Sequence, residues 1–186
     1  MIIKDQRDKV QGSIITKGLE GKVDYIDCFG ILAGNAGHSI DYLTAMVFTS
    51  FYRFWWMKAL FKLRNILVRP FGLKTDEIPG LEKIDPSMHY NIGDMAVFFN
   101  VLSRNDREII MDGDDSHLYF RVSLLLYDDP SLKDRVLCLT TLVQFHNTLG
   151  RIYFTIIKPF HRIIMKRLLR SLPNVSKNKN RLALGI

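Results

Sequence analysis

The sequence predicts an α+β domain in which an antiparallel sheet wraps around a long basic C-terminal helix. Three observations carry that reading. Residues 93–146 alternate apolar and polar side chains between short polar turns, the pattern of successive antiparallel strands. Leu149, Ile152, Tyr153, Ile156, Ile157, Phe160, Ile163, Ile164 and Leu168 then recur at helical spacing, opposite Arg151, Thr155, Lys158, Arg162, Lys166 and Arg170. With 186 residues, 47% of them apolar and 24% charged, the chain suits one folded domain and not a disordered one.

The elements follow in order. Residues 1–22 are polar and contain glycine, and read as a poorly ordered arm ahead of a domain spanning 23–173. Residues 24–33 alternate as a first strand. After a Gly34–Gly37 loop, Ser39 is suited to cap a helix beginning at Ile40, with Leu43, Met46, Val47 and Phe51 on one stripe. A second helix is expected over 54–68, ended by Pro70. Residues 71–92 form a long connection. Strands are expected over 95–103, 107–111, 117–127 and 136–146, with turns at Asn105-Asp106, at 112–115 and at 128–131. Asn147 can cap the last helix, and Pro159 should bend it. A polar basic tail occupies 174–186.

Charge and composition narrow the function. Residues 131–186 hold 11 basic and 1 acidic side chains, whereas residues 1–130 hold 15 basic and 18 acidic. The basic helix face and the tail could meet nucleic acid or anionic lipid. The apolar stripe is already needed to cover the sheet, however, so a solvated face is favoured over membrane contact. No nucleic-acid reading motif is present. The apolar run 42–60 is interrupted by Arg53 and Lys58, which argues for buried helix and against a transmembrane segment. Cys28 and Cys138 form no C-x-x-C motif and the N-terminus lacks a signal-type apolar core, so a reducing, cytoplasmic setting is expected. Nucleophile-elbow, zincin, phosphate-loop and dinucleotide motifs do not occur, and no metal or cofactor is expected.

Several stretches carry a family resemblance. Asp24-Tyr-Ile-Asp-Cys-Phe29, the run 63–73, His117-Leu-Tyr-Phe-Arg-Val-Ser123, His146-Asn-Thr-Leu-Gly-Arg-Ile-Tyr-Phe154 and Pro159-Phe-His161 are similar to a bacterial family, domain of unknown function 2867. The resemblance covers residues 24–172. It implies a START-like, birch-pollen-allergen-like helix-grip fold, whose members commonly hold an apolar ligand between sheet and helix. Some members of that superfamily are cyclases or hydrolases, and some chains of this family carry a dehydrogenase-like domain. The family motif has Asp where this chain has Tyr119, which weakens an enzymatic reading.

Candidate sites follow. A ligand held between sheet and helix would touch Phe120, Val122 and Leu124 on the sheet and Tyr153, Ile156 and Phe160 on the helix. Trp55 and Trp56 are further candidates, one of them expected to be partly exposed or at the pocket mouth, since successive helical residues cannot face the same way. A hairpin turning at 112–115 would set Glu108 opposite Tyr119 and beside His117 and Arg121, with Ser103 also opposite Glu108. That group could polarise a ligand. The wholly apolar face of Phe120, Val122, Leu124 and Leu126 instead favours a salt bridge on the far side of the sheet. Asn147 and Arg151, at a helix N-terminus, could bind an anion, but a capping role is favoured. His161 is expected on the basic side of the helix. The function expected is an uncharacterised small-molecule binding module for an apolar or amphipathic ligand. The alternatives are an enzyme using Glu108, His117 and Arg121, or an interaction domain that forms a homodimer or docks on a dehydrogenase-like partner.

Overall fold

A computed structural model describes residues 2–3, 13–34, 37–53, 89–96 and 99–172. Over these residues the order is β1 (Ile2–Ile3), β2 (Tyr25–Leu32), α1 (Ile40–Arg53), β3 (Met95–Ala96), β4 (Phe99–Arg104), β5 (Glu108–Asp114), β6 (Leu118–Asp129), β7 (Asp134–Phe145) and α2 (Thr148–Ser171). The strands form one seven-stranded sheet in the order β1-β2-β7-β6-β5-β4-β3. Every neighbouring pair is antiparallel. The second helix expected at 54–68, Trp55, Trp56, most of the 71–92 connection and the tail lie outside the described residues.

Strand alternation sets two faces. On the inner face Phe29, Ile109, Met111, Val122, Leu124, Leu137 and Leu139 make the main core with α1 residues Ile40, Leu43, Val47 and Phe48 and α2 residues Leu168 and Leu169. Burying each such side chain contributes roughly 1.5–3 kcal/mol. Ser39 caps α1 as expected, its Oγ accepting from the Tyr42 amide at 3.2 Å.

Two strand expectations need correction. Residues 95–103 are not one strand, because the chain reverses between β3 and β4, which pair Ala96 with Phe99. The hairpin after β5 does not turn at 112–115 either. β5 runs through to Asp114, which pairs with Tyr119, so Glu108 faces Leu125 and Arg121 faces Asp112. Ser103 likewise pairs with Ile110, not Glu108. The run Asp112-Gly113-Asp114-Asp115 has turn composition, but Gly113 serves another purpose. It pairs with Phe120, and a Cβ there would lie 2.4 Å from the Phe120 ring. The glycine makes room for a cross-strand aromatic ring.

The outer face is covered by the N-terminal segment. Ile15 is fully buried and packs with Ile110 and Leu142, joined by Ile14, Leu19, Val23 and Ile26. Residues 13–19, expected to belong to a poorly ordered arm, thus form a second small apolar layer. Beside it Cys28 and Cys138, not joined in a disulfide, are buried among Val136, Leu125 and Tyr127.

The orientation of α2 differs from expectation. Tyr153, Phe154, Ile157, His161, Ile164 and Met165 turn towards the sheet side. Ile152, Ile156, Phe160 and Ile163 are exposed, at 39% or more. The basic side chains are not wholly free: Lys158 Nζ lies 5.0 Å from the centre of the Tyr25 ring, and Arg162 and Lys166 lie 5.8 and 5.2 Å from that of Phe29. Long cationic stems cover apolar surface while their heads reach water, and the aromatic faces attract the charge. The helix is therefore rolled so that part of its basic face rests on β2 and part of its apolar stripe looks outward. The premise that the whole stripe is committed to the sheet does not hold. Even so, among the described residues no helix is long and apolar enough to cross a membrane.

Candidate functional site

Between the inner face and α2 lies a cavity of about 190 Å³. Its apolar wall comes from Phe99 on β4, Leu118, Phe120 and Val122 on β6, Val143 on β7, and Phe154, Ile157 and Met165 on α2. Asp115, His117, Thr141, Tyr153 and His161 add polar atoms. The chain reaches this arrangement through close packing at the helix start. Asn147 is extended, with φ −157° and ψ 179°, and its amide oxygen accepts from the Gly150 amide at 3.0 Å. Its Nδ2 donates to the Ser116 carbonyl at 3.1 Å. The His146 amide donates to the His117 carbonyl at 3.1 Å. These bonds tie the β5–β6 hairpin to α2, and His117 meets Tyr153 edge-on with ring centres 4.7 Å apart.

One end of the cavity wall is polar, where strand parity calls for apolar residues. Asp27 on β2 and Thr141 on β7 pair directly across the two strands. Both point inward, at 4% and 3% exposure. Tyr25 Oη donates to Asp27 Oδ2 at 2.5 Å. Asp27 Oδ1 lies 3.6 Å from His161 Nε2 of α2, within ion-pair range but too far for a hydrogen bond. Asp27 Oδ1, His161 Nε2 and Thr141 Oγ1 are all buried without a hydrogen-bond partner among the described residues. Interiors seldom leave such atoms unpaired, since each costs about 1–3 kcal/mol.

Of the residues expected to line a ligand site, Phe120, Val122 and Tyr153 line this cavity. Leu124 is fully buried in the main core instead, and Ile156 and Phe160 are on the exposed side of α2. The Glu108, His117 and Arg121 group is not assembled. Glu108 is buried on the outer face, where it accepts from the Ser13 and Ser123 hydroxyls and, at 2.9 Å, from the Ile14 amide. Arg121 donates to the Ile15 and Lys17 carbonyls, both at 2.8 Å, and to Tyr119 Oη at 2.7 Å. These two hold the N-terminal segment, and only His117 borders the cavity. The β5–β6 hairpin turns at residues 115–117 and not at 112–115, which sets Glu108 opposite Leu125 and leaves His117 in the turn. Tyr119 also bonds Asp112 on the outer face, at 3.0 Å. There burial, ahead of the neighbouring charges, raises its phenol pKa. Asn147 spends its side chain on its own helix and on the Ser116 carbonyl, and Arg151 lies 5.9 Å over the Phe145 ring. His161, expected on the basic side, faces the sheet.

A further polar cluster was not foreseen. Asp41, in the first turn of α1, takes Arg104 in a two-point contact at 2.8 and 3.1 Å. It also accepts from the Tyr90 amide at 3.1 Å and meets His89 Nδ1 at 3.0 Å. Burial alone would raise the Asp41 pKa, but the hydrogen bonds from Arg104 and Tyr90 and the nearby positive charges outweigh it and hold it low. The cluster clips α1 to β4. Among the described residues no group of His, Cys, Asp and Glu is placed to hold a metal ion.

A family model described as Protein of unknown function (DUF2867) matches residues 19–168. The chain belongs to that family. No curated protein and no solved structure matches it. The range shared with DUF2867 takes in Asp27, Thr141 and His161, whereas Ser13, Ile15 and Lys17, which engage Glu108 and Arg121, precede it. The signal that could have singled out Asp27 and His161 is a polar residue at an inward strand position, facing a histidine one helix away.

Proposed function

We propose that this DUF2867 chain is a helix-grip, START-like protein that binds a small amphipathic molecule between its sheet and α2. The observation that carries the reading is the cavity itself, an apolar space with unpaired polar atoms buried in one wall. Binding sites for small molecules are typically apolar with a few convergent polar groups. A volume of about 190 Å³ suits an occupant of roughly the size of one substituted ring. The antiparallel sheet closed by a C-terminal helix is in keeping with a helix-grip arrangement. The separation of Glu108 and Arg121 from His117 removes support for a cyclase or hydrolase built on those three. Native mass spectrometry of protein purified from its own host tests the proposal. The wild type should carry a non-covalent small-molecule adduct that Val122→Phe, which fills the cavity, abolishes. An adduct retained equally by a folded Val122→Phe variant would place the ligand elsewhere.

A further inference from the structure

We propose that Asp27, Thr141 and His161 anchor the hydroxyl group of a small neutral alcohol or phenol whose apolar body fills the cavity. This rests on the ligand-binding reading above and adds the chemical class of the ligand. The three side chains present Asp27 Oδ1, Thr141 Oγ1 and His161 Nε2, all buried and without a hydrogen-bond partner among the described residues. They come from adjacent strands and the facing helix: Asp27 pairs with Thr141, and Asp27 Oδ1 lies 3.6 Å from His161 Nε2. Thr141 and His161 border the cavity, and Asp27 lies next to both, paired with Thr141 in the sheet and 3.6 Å from His161 Nε2. Because the three atoms are screened by the wall, engagement requires the His161 ring to turn towards the bound group.

The donor and acceptor pattern selects the ligand. A carboxylate oxygen accepts only, a threonine hydroxyl does both, and a neutral imidazole nitrogen does one or the other. A hydroxyl satisfies such a set, donating to Asp27 and accepting from Thr141 or His161. An ammonium group is disfavoured, since Lys158 already sits over Tyr25, and Arg162 and Lys166 over Phe29, the inward neighbours of Asp27 on β2. A ligand carboxylate would face Asp27. An apolar cavity of about 150 Å³ accepts benzene, so a ring bearing one hydroxyl suits the available space.

Isothermal titration of the full chain with para-cresol, toluene and benzylamine separates the possibilities. The wild type should bind para-cresol about tenfold tighter than toluene or more, and benzylamine no tighter than toluene. Asp27→Asn and Thr141→Val should each bring the ratio of para-cresol to toluene affinity down towards one. Thr141→Val preserves side-chain shape, so it keeps the test open if Asp27→Asn does not fold. Equal affinity of the wild type for para-cresol and toluene, tightest binding of benzylamine, or an unchanged preference in the variants overturns the hydroxyl anchor and leaves the cavity reading standing. If none of the three compounds binds the wild type, the cavity reading falls and the anchor with it.

Discussion

Gly150 has no room for a side chain: a Cβ there would lie 1.9 Å from the His117 carbonyl oxygen. Replacing a helical glycine by alanine ordinarily stabilises by about 1 kcal/mol. Here the obstacle is backbone, which cannot swing aside, so overpacking wins. Gly150→Ala should lose about 2–3 kcal/mol in urea unfolding. A second residue-level prediction concerns acid. The Asp41 pKa lies below its ordinary value of 3.8 in the folded chain. Its contribution is therefore complete above about pH 4 and is lost as the pH falls through the folded value. Asp41→Asn should be less stable than the wild type at neutral pH by about 2 kcal/mol, since Arg104 loses its charged partner. Denaturant titrations across pH should show that gap shrinking below about pH 4.

At the scale of elements, the sheet is covered from both sides by different means. α1 and α2 close the inner face through apolar packing, while residues 13–19 close the outer face through Ile15 and the two buried charges beneath it. Glu108 is the acceptor on which Ser13, Ile14 and Ser123 converge. Glu108→Ala leaves these donors without their acceptor, and a loss of about 2–4 kcal/mol is expected. Hydrogen exchange should then quicken at Ile14 and Ile15 ahead of β6 and β7, because the segment is released before the sheet opens. The strands and the terminal helix are legible in the sequence because period-two and period-3.6 patterns report burial directly. The β5–β6 register is not: a turn-like Asp-Gly-Asp-Asp run masks a glycine that accommodates Phe120, and that displacement separates Glu108 and Arg121 from His117. The roll of α2 is hidden for a related reason. Lysine and arginine stems can lie on Tyr25 and Phe29 as readily as isoleucine can, so hydropathy alone does not choose the buried face.

For the whole molecule, the consequence is a sheet whose inner surface the described residues do not fill to its end. Between β6, β7 and α2 lies a cavity of about 190 Å³, with Thr141 and His161 in its wall and Asp27 next to them. The C-terminal basicity, which invites a nucleic-acid or membrane reading, is partly accounted for by cations seated on aromatic rings of the sheet. The site was only partly readable from sequence, because Asp27 and His161 are 134 positions apart and meet only through the β2–β7 pairing and the roll of α2. Titrating para-cresol into isotope-labelled protein and following amide and methyl shifts by NMR probes the central claim most directly. Binding beneath α2 requires saturable shifts at Val122, Thr141, Val143, Ile157 and His161, with Ile15 and Ile110 on the outer face unmoved. Shifts confined to the outer face or to Ile152, Ile156 and Ile163 on the exposed side of α2 would contradict it.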